Sequence, residues 1–320
     1  MSNSVRYLFR KPLPLRIRNS VCAVFALALI ASGRVRRRRR QALTSDVVSG
    51  IYFHRPAKDL FAHCIAWLSK SGYTFVSLDD VIAYLYDGAK LPKGAVWLSF
   101  DDGYRDLLTD VLPLVIERNI PVTLFLASGL VEGNGWFPWE AYRDAGGIRE
   151  RDAMTVSDVR RLAQYSQVTF GSHTVNHLVT ADLNGHQTAH ELRESKRQLE
   201  RWTGKPVVCF AYPEGVAGGR EEIHLRSLGY RIAATTENAF LVRTSDVYRL
   251  PRFSVADDIS LPEAICNMTG VWRPFIEPLI SVTASFVSAI SWARAAANAV
   301  LARISNGRSS QLTRKVSRPC

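Results

Sequence analysis

The sequence predicts an α/β protein built on a mostly parallel sheet or barrel. Three observations support this. Apolar runs of strand type alternate with segments of helical period through the middle of the chain, the pattern of successive βα units. Several of those strands stop abruptly at polar clusters, as strand ends do where a rigid scaffold presents chemistry to an open loop. The chain also has 320 residues, 47% hydrophobic and 22% charged, enough for one large core or two small ones.

The net charge of +12 is unevenly placed. Residues 1–40 hold eleven Arg or Lys and no acid, and residues 271–320 hold seven against one Glu, leaving −5 on the body between them. The basicity is a property of the tails, so the body is a poor match for a nucleic-acid binder, and no nucleic-acid partner is expected. The five cysteines (Cys22, Cys64, Cys209, Cys266, Cys320) are odd in number with no C-x-x-C pair. That argues against a disulfide framework and a thiolate zinc site.

Three regions follow: a basic, partly apolar extension over 1–46, a body over 47–270, and a tail over 271–320. The apolar part of residues 19–33 (Val21, Val24, Phe25, Leu27, Leu29, Ile30) is shorter than a spanning helix needs, and Arg34 and Arg36 to Arg40 follow it. Arginines there oppose translocation. The preferred reading is a segment on the cytoplasmic face of an anionic membrane, with a signal peptide (and so export) or a disordered start as alternatives. Residues 275–304, with Phe286, Ile290, Trp292 and Leu301, read as an amphipathic helix on a membrane surface, a helix packed on the body, or a span. Residues 305–320 read as a disordered basic end.

In the body, Val47 to Phe53 reads as a buried strand ending at His54, and Phe61 to Leu68 as a helix that Gly72 stops. Phe75 to Leu78 is strand-like and Asp79 to Tyr86 helical. Pro92 and Gly94 turn the chain into the strand at Val96. A helix follows over Leu107 to Arg118, then a strand over Val122 to Ala127. Residues 132–152 are loop-like. Thr155 to Tyr165 is a helix capped by Ser157 or Thr155, and Val168 to Ser172 a strand ending at His173. A long helix spans Ala189 to Thr203. Val207 to Tyr212 is a strand running into Pro213-Glu214-Gly215, Ile223 to Leu228 a helix, and Ile232 to Thr235 a strand. Tyr248 to Val255 contains Leu250-Pro251-Arg252. No internal repeat is present.

The central strand, Val96 to Phe100, stops at Asp101-Asp102-Gly103. Alternation along a strand points adjacent side chains to opposite faces, so the two aspartates are expected to do different jobs. His173 and His177 lie four apart. On a helical turn that spacing puts both imidazoles on one face, as chelation requires, although surface or capping histidines also explain such a pair. One Asp with two His is a facial ligand set that leaves metal positions open.

Ser99-Phe100-Asp101-Asp102-Gly103, the His173–His177 pair and Phe210-Ala211-Tyr212-Pro213-Glu214-Gly215, in that order and each at a strand end, resemble the polysaccharide deacetylases with a NodB homology domain (carbohydrate esterase family 4). The resemblance covers residues 47–256. It implies a deformed (β/α)7-type barrel and a hydrolase that removes N-acetyl groups from a sugar polymer or oligosaccharide. It implies Asp101 as general base, Asp102, His173 and His177 as ligands of a divalent metal, usually Zn2+, and Tyr212 to Gly215 as the segment whose backbone holds the oxyanion.

Four departures shape the reading. The family's late Leu-x-His motif is missing, since no histidine follows His224. Ile51-Tyr52-Phe53-His54 instead resembles the segment that supplies the acid in the poly-N-acetylglucosamine branch, so His54 is expected to be the general acid. Ala211 stands where the usual family has an arginine that holds the base, and Arg252 is the candidate replacement, with an ordinary surface salt bridge as the alternative. Glu214 stands where the branch has tyrosine, and Ser99 where threonine is usual. Trp136, Trp139 and Tyr104 are candidates for stacking on sugar rings. The partners expected are an N-acetylated glycan and an anionic membrane surface. The alternative functions are hydrolysis of a non-sugar amide and a catalytically silent carbohydrate binder.

Overall fold

The computed structural model describes residues 15–133, 135–137 and 152–278. Eight strands among them form one sheet: β1 (Val48–Phe53), β2 (Thr74–Phe75), β3 (Ala95–Phe100), β4 (Val122–Leu126), β5 (Val168–Ser172), β6 (Cys209–Ala211), β7 (Ile232–Ala234) and β8 (Phe253–Ser254). Their order is β7-β6-β5-β4-β3-β1-β8, with β2 beside β3. Every pairing is parallel, so helical crossovers must return the chain to the start of each new strand. This is the curved half-barrel of parallel strands expected for a deformed (β/α) barrel.

Strand β3 is the axis. It pairs with β1 from Val48↔Ala95 to Phe53↔Phe100, and its other edge takes β2 first and then β4. All six of its residues are buried, because a parallel sheet is covered on both faces. Val96, Leu98 and Phe100 face the outer helices, where Phe53, Phe61 and Phe100 pack with ring centroids 5.6–5.7 Å apart. Trp97 faces the other way, among Phe125, Cys209, Ala211 and Ala234, and its Nε1 donates to Thr123 Oγ1 at 3.0 Å. Gly171 is required there: a Cβ would sit 2.4 Å from the Phe125 ring and 2.7 Å from Cys209 Sγ. The stretch leading into β8 joins the far edge of the sheet to the near one. Ala234 bridges Leu250 in parallel, Arg252 N donates to Glu237 O, and β8 then pairs with β1.

Several element boundaries differ from those expected. The helix over 107–118 is two, Leu107–Asp110 and Leu112–Glu117, because Pro113 has no N–H to continue the ladder. Of the expected strand Phe75 to Leu78, only Phe75 pairs with β3, in a strand that starts at Thr74. Ser77 turns instead into the cap of Leu78–Tyr86, in a capping box with Asp80. Thr155, not Ser157, caps Val156–Leu162 through a box with Asp158. The long helix starts earlier, at Gly185, where Asn184 and Gln187 form a third box.

Residues Pro14–Trp272 form one unit, which includes part of the N-terminal extension. Helices Leu15–Ala31 and Arg34–Thr44 pack on the body. Arg18 grips the buried Glu263 of helix Leu261–Met268 at 2.8 and 3.2 Å, Arg39 donates to Ser71 O, Gly94 N donates to Ala42 O, and the Arg38 guanidinium lies 4.2 Å over the Phe240 ring. The second unit is Met1–Leu13 with Arg273–Cys320, of which residues 273–278 are described. There Arg273 donates to Glu277 at 2.6 Å. The expected apolar helix over 275–304 falls almost wholly outside the described residues. Cys22, Cys64, Cys209 and Cys266 are free thiols, and burial pushes Cys64 and Cys266 up to about 12.

Candidate active site

The C-terminal ends of β1, β3, β5 and β6 bring most of the expected site residues together. The β1–β3 register ends at Phe53↔Phe100, and Asp101 N donates to Phe53 O at 3.0 Å. His54 and Asp101 are therefore the next residues on neighbouring strands. Across the sheet, β5 and β6 pair at Ser172↔Phe210, which sets His173 beside Ala211.

Strand alternation does not separate the two aspartates. Strand β3 ends at Phe100, and Asp102 adopts φ 71°, in the left-handed region. That local reversal leaves both carboxylates buried within reach of His173, whose imidazole feels the charge of each.

Asp101 is held by Arg252. Nη1 donates to Oδ1 at 2.8 Å and Nη2 to Oδ2 at 2.7 Å, a bidentate pair. The guanidinium is fully buried, so this is no surface salt bridge. Its other donors reach Ser99 Oγ at 2.9 Å and Thr235 O at 3.1 Å, and its plane lies 4.4 Å from the Tyr52 ring. Gly50 makes room for it, since a Cβ there would meet Pro251 O at 2.8 Å and Arg252 Cγ at 3.2 Å.

Asp102 has no such cation. Its Oδ1 is buried and makes no hydrogen bond, yet His173 Nε2 faces it at 3.3 Å and His177 Nε2 at 3.2 Å. Burial alone would push the Asp102 carboxyl up, but the two imidazoles and the nearby His54 hold it well below the usual carboxylate range. His173 Nδ1 lies 2.7 Å from Ala211 O. A proton on Nδ1 donated to that carbonyl leaves the Nε2 lone pair directed at the site. Burial lowers the His173 pKa, and the carboxylates of Asp102 and Asp101 more than offset it, raising the value.

Asp102, His173 and His177 are the one group of three or more such side chains among the described residues with metal-ligand spacing, their ligand atoms all within 4.8 Å. The three fit a divalent cation. Bonds of about 2.0–2.1 Å at tetrahedral angles separate neighbouring ligand atoms by about 3.3–3.4 Å, and the two Asp–His separations are 3.3 and 3.2 Å. An orphaned carboxylate oxygen facing two imidazole nitrogens is the donor set such an ion satisfies.

The histidine pair does not sit on a helical turn. Residues 173–177 form a loop in which Thr174 and His177 have φ 64° and 56°. Of five non-glycine residues with positive φ among the described residues, four (Asp102, Thr174, His177, Glu214) belong to the site motifs. Each costs about 1–3 kcal/mol and persists where surroundings over-determine it. Here the clamp is Glu191, a buried carboxylate on Gly185–Thr203. Oε2 accepts from Val175 N at 2.8 Å and Asn176 N at 3.0 Å, and Oε1 accepts from Asn176 Nδ2 at 2.8 Å. Gly129 N donates to Val175 O from the other side.

The sequence reading did not single out Glu191. Its signal was an acid on the same helix face as Thr188, Leu192, Ser195, Leu199 and Trp202. Ser99, noted only as a mild departure, proves to be a ligand of Arg252.

In the 212–215 turn most backbone amides are already engaged or missing. Tyr212 N already donates to Ala234 O and Gly215 N to Tyr212 O, and Pro213 has no N–H. Glu214 has φ 58° and an exposed side chain, and Gly215 is fixed by Thr236, whose Oγ1 would lie 2.1 Å from a Cβ. Tyr104 is buried edge-on against Phe137 at 4.5 Å, so it packs in the core and offers no face to a sugar. Trp136 is exposed, and Trp139 lies outside the described residues. The His54 ring lies 5.5 Å from Tyr52. Arg55 N next to it donates to Asp257 Oδ1 at 2.8 Å, and burial raises the Asp257 carboxyl while the His54 charge pulls it down.

Residues 88–233 match the polysaccharide deacetylase family. A curated relative, YxkH of Bacillus subtilis (strain 168), named as a polysaccharide deacetylase, is 24% identical over 215 residues, 67% of this chain and 70% of that one. The poly-beta-1,6-N-acetyl-D-glucosamine N-deacetylase of Escherichia coli (strain K12) is 28% identical over 235 residues, 62% of this chain but 33% of that enzyme. The chain thus matches about a third of the length of the E. coli enzyme. Among solved structures, IcaB from Ammonifex degensii superposes with a TM-score of 0.58 at 22% identity, covering 70% of this chain and 98% of that one. Residues 88–233 are thus similar to the polysaccharide deacetylase domain, and the relatives named as deacetylases extend that likeness over about two thirds of the chain.

Proposed function

We propose that the protein is a metal-dependent N-deacetylase of N-acetylglucosamine polymers, with β-1,6-linked chains the first substrate to test. The observation that carries this is the pair of adjacent buried carboxylates in opposite settings, one gripped by Arg252 and one facing two imidazoles. The relatives named for poly-β-1,6-N-acetylglucosamine support the substrate class.

Asp102, His173 and His177 would hold the ion, which when bound supplies a Lewis acid and lowers the pKa of water. Asp101 is the general base. Arg252 grips both of its oxygens and fixes its orientation, so it can take a proton from the attacking water. His54, the neighbour of Asp101 across the strand pair, is the general acid that gives a proton to the departing amine. The backbone of the Tyr212 to Gly215 turn is the expected oxyanion contact, with the Glu214 side chain exposed. The C–N bond breaks, acetate carries away the water oxygen, and the sugar keeps a free amine.

The test is acetate release from β-1,6 and β-1,4 N-acetylglucosamine oligomers, with zinc and with chelator. Metal-dependent release that Asp101→Asn abolishes supports the proposal. A protein that binds one metal per chain and releases no acetate from either oligomer overturns the substrate class.

A further inference from the structure

Helix Leu15–Ala31 is apolar around most of its circumference. One side, with Ala26 and Leu29 buried, packs on Leu261–Met268. The other side carries Ile17, Val21, Val24, Phe25 and Leu27, which are 46–66% exposed, together with the exposed Ala28. At 100° per residue these six fall within one stripe about 160° wide. A helix that is apolar all round lies in a core or against lipid, and among the described residues this one buries only the side with Ala26 and Leu29.

After Gly33, at φ 78°, the chain bends by 60° into Arg34–Thr44. Val35, Arg38, Arg39 and Ala42 turn toward the body, and Arg34, Arg36, Arg37 and Arg40 are exposed. None of these four has an acidic partner among the described residues. No single helix there is long and apolar enough to cross a membrane. The partly exposed Arg18 and the buried Glu263, more than 240 residues apart in sequence, pair and fix the helix to the folded body.

We propose that this face docks on an anionic lipid bilayer. Helix Leu15–Ala31 lies in the interface with Ile17, Val21, Val24, Phe25 and Leu27 among the acyl chains, and Arg34, Arg36, Arg37 and Arg40 meet the phosphates. Charge complementarity selects this occupant. A bilayer supplies both an apolar layer and a sheet of negative charge beside it. A second copy seated symmetrically on the same face would bring two sets of unneutralised arginines together. The docking is separate from the chemistry at Asp101 and Asp102 and does not rest on the proposed substrate.

The test is flotation of the full chain with vesicles of phosphatidylcholine alone and of phosphatidylcholine with phosphatidylglycerol. Binding is expected to the anionic vesicles and to fall by about tenfold or more in V24E/F25E. R36E/R37E/R40E should remove the preference for anionic lipid, and added salt should weaken the wild type. Because all these side chains are exposed, the variants should keep their thermal midpoint and their acetate release from soluble oligomers. If V24E/F25E fails to fold, V24Q/L27Q serves instead. Equal flotation of wild type and a folded apolar-face variant overturns the proposal, as does a wild type that ignores both vesicles. A V24E/F25E variant that turns a dimer into a monomer without changing flotation overturns it in favour of a second copy.

Discussion

Asp101 and Asp102 are neighbours in sequence, both buried, and in opposite electrostatic settings. Asp101 meets a guanidinium supplied by the chain, itself tied to Ser99 and Thr235. Asp102 meets two imidazoles, and one of its oxygens has no hydrogen bond. A buried charge is tolerated when paired and costly when not. The first carboxylate is therefore complete within the protein, while the second keeps a buried oxygen without a hydrogen bond, which the proposed metal would satisfy. On the proposed reading, one strand end thus supplies both the proton acceptor and a metal ligand.

The largest test of that contrast exchanges each carboxylate for its isostere. Asp102→Asn should remove metal uptake, measured as ions bound per chain, and with it acetate release. Asp101→Asn should keep the metal and lose about 10²–10⁴-fold in rate, the usual worth of a positioned base. Loss of metal in both variants would mean that the two aspartates do one job. Arg252→Ala comes next. It strands Asp101 as a buried unpaired charge, so unfolding free energy should fall by about 3–5 kcal/mol, with Arg252→Lys losing less because the charge survives without the fork. Chemical denaturation reads this directly, and an unchanged midpoint in Arg252→Ala would show that Asp101 is compensated some other way.

The same contrast separates what was legible in the sequence from what was not. The strand ends, the Asp-Asp-Gly stop and the order of the three motifs are local and could be read directly, as could the alternation that makes the sheet parallel. Arg252 was reached as a candidate because Ala211 left the base without its usual partner, but its burial and its ties to Ser99 and Thr235 depend on contacts across 17 to 153 residues. The local geometry misled twice. Strand alternation failed at Asp102 and helical spacing failed at His177, because both residues have left-handed backbones, uncommon for any non-glycine residue even though Asp and His adopt them more often than most. Glu191 was hidden because an acid in a helix reads as a solvated face until the loop it serves is packed against it.

Glu191 gives the smallest and sharpest test of the metal corner. It touches none of the three ligands. It acts through the amides of Val175 and Asn176, holding a loop whose backbone is strained at both Thr174 and His177. Glu191→Gln keeps the size and loses the charge and one acceptor, so the fold should survive while His177 samples other positions. Metal affinity, read by competition with a chelator of known strength, should fall by about 10–100-fold, the range for outer-shell partners of a ligating histidine. Acetate release at saturating zinc should recover most of its wild-type rate, since Asp101, Arg252 and His54 are untouched. A purely structural role predicts a lower thermal midpoint with unchanged metal affinity. That outcome would place the strain of the 173–177 loop outside the metal chemistry and leave Asp102 and His173 as the pair that sets affinity.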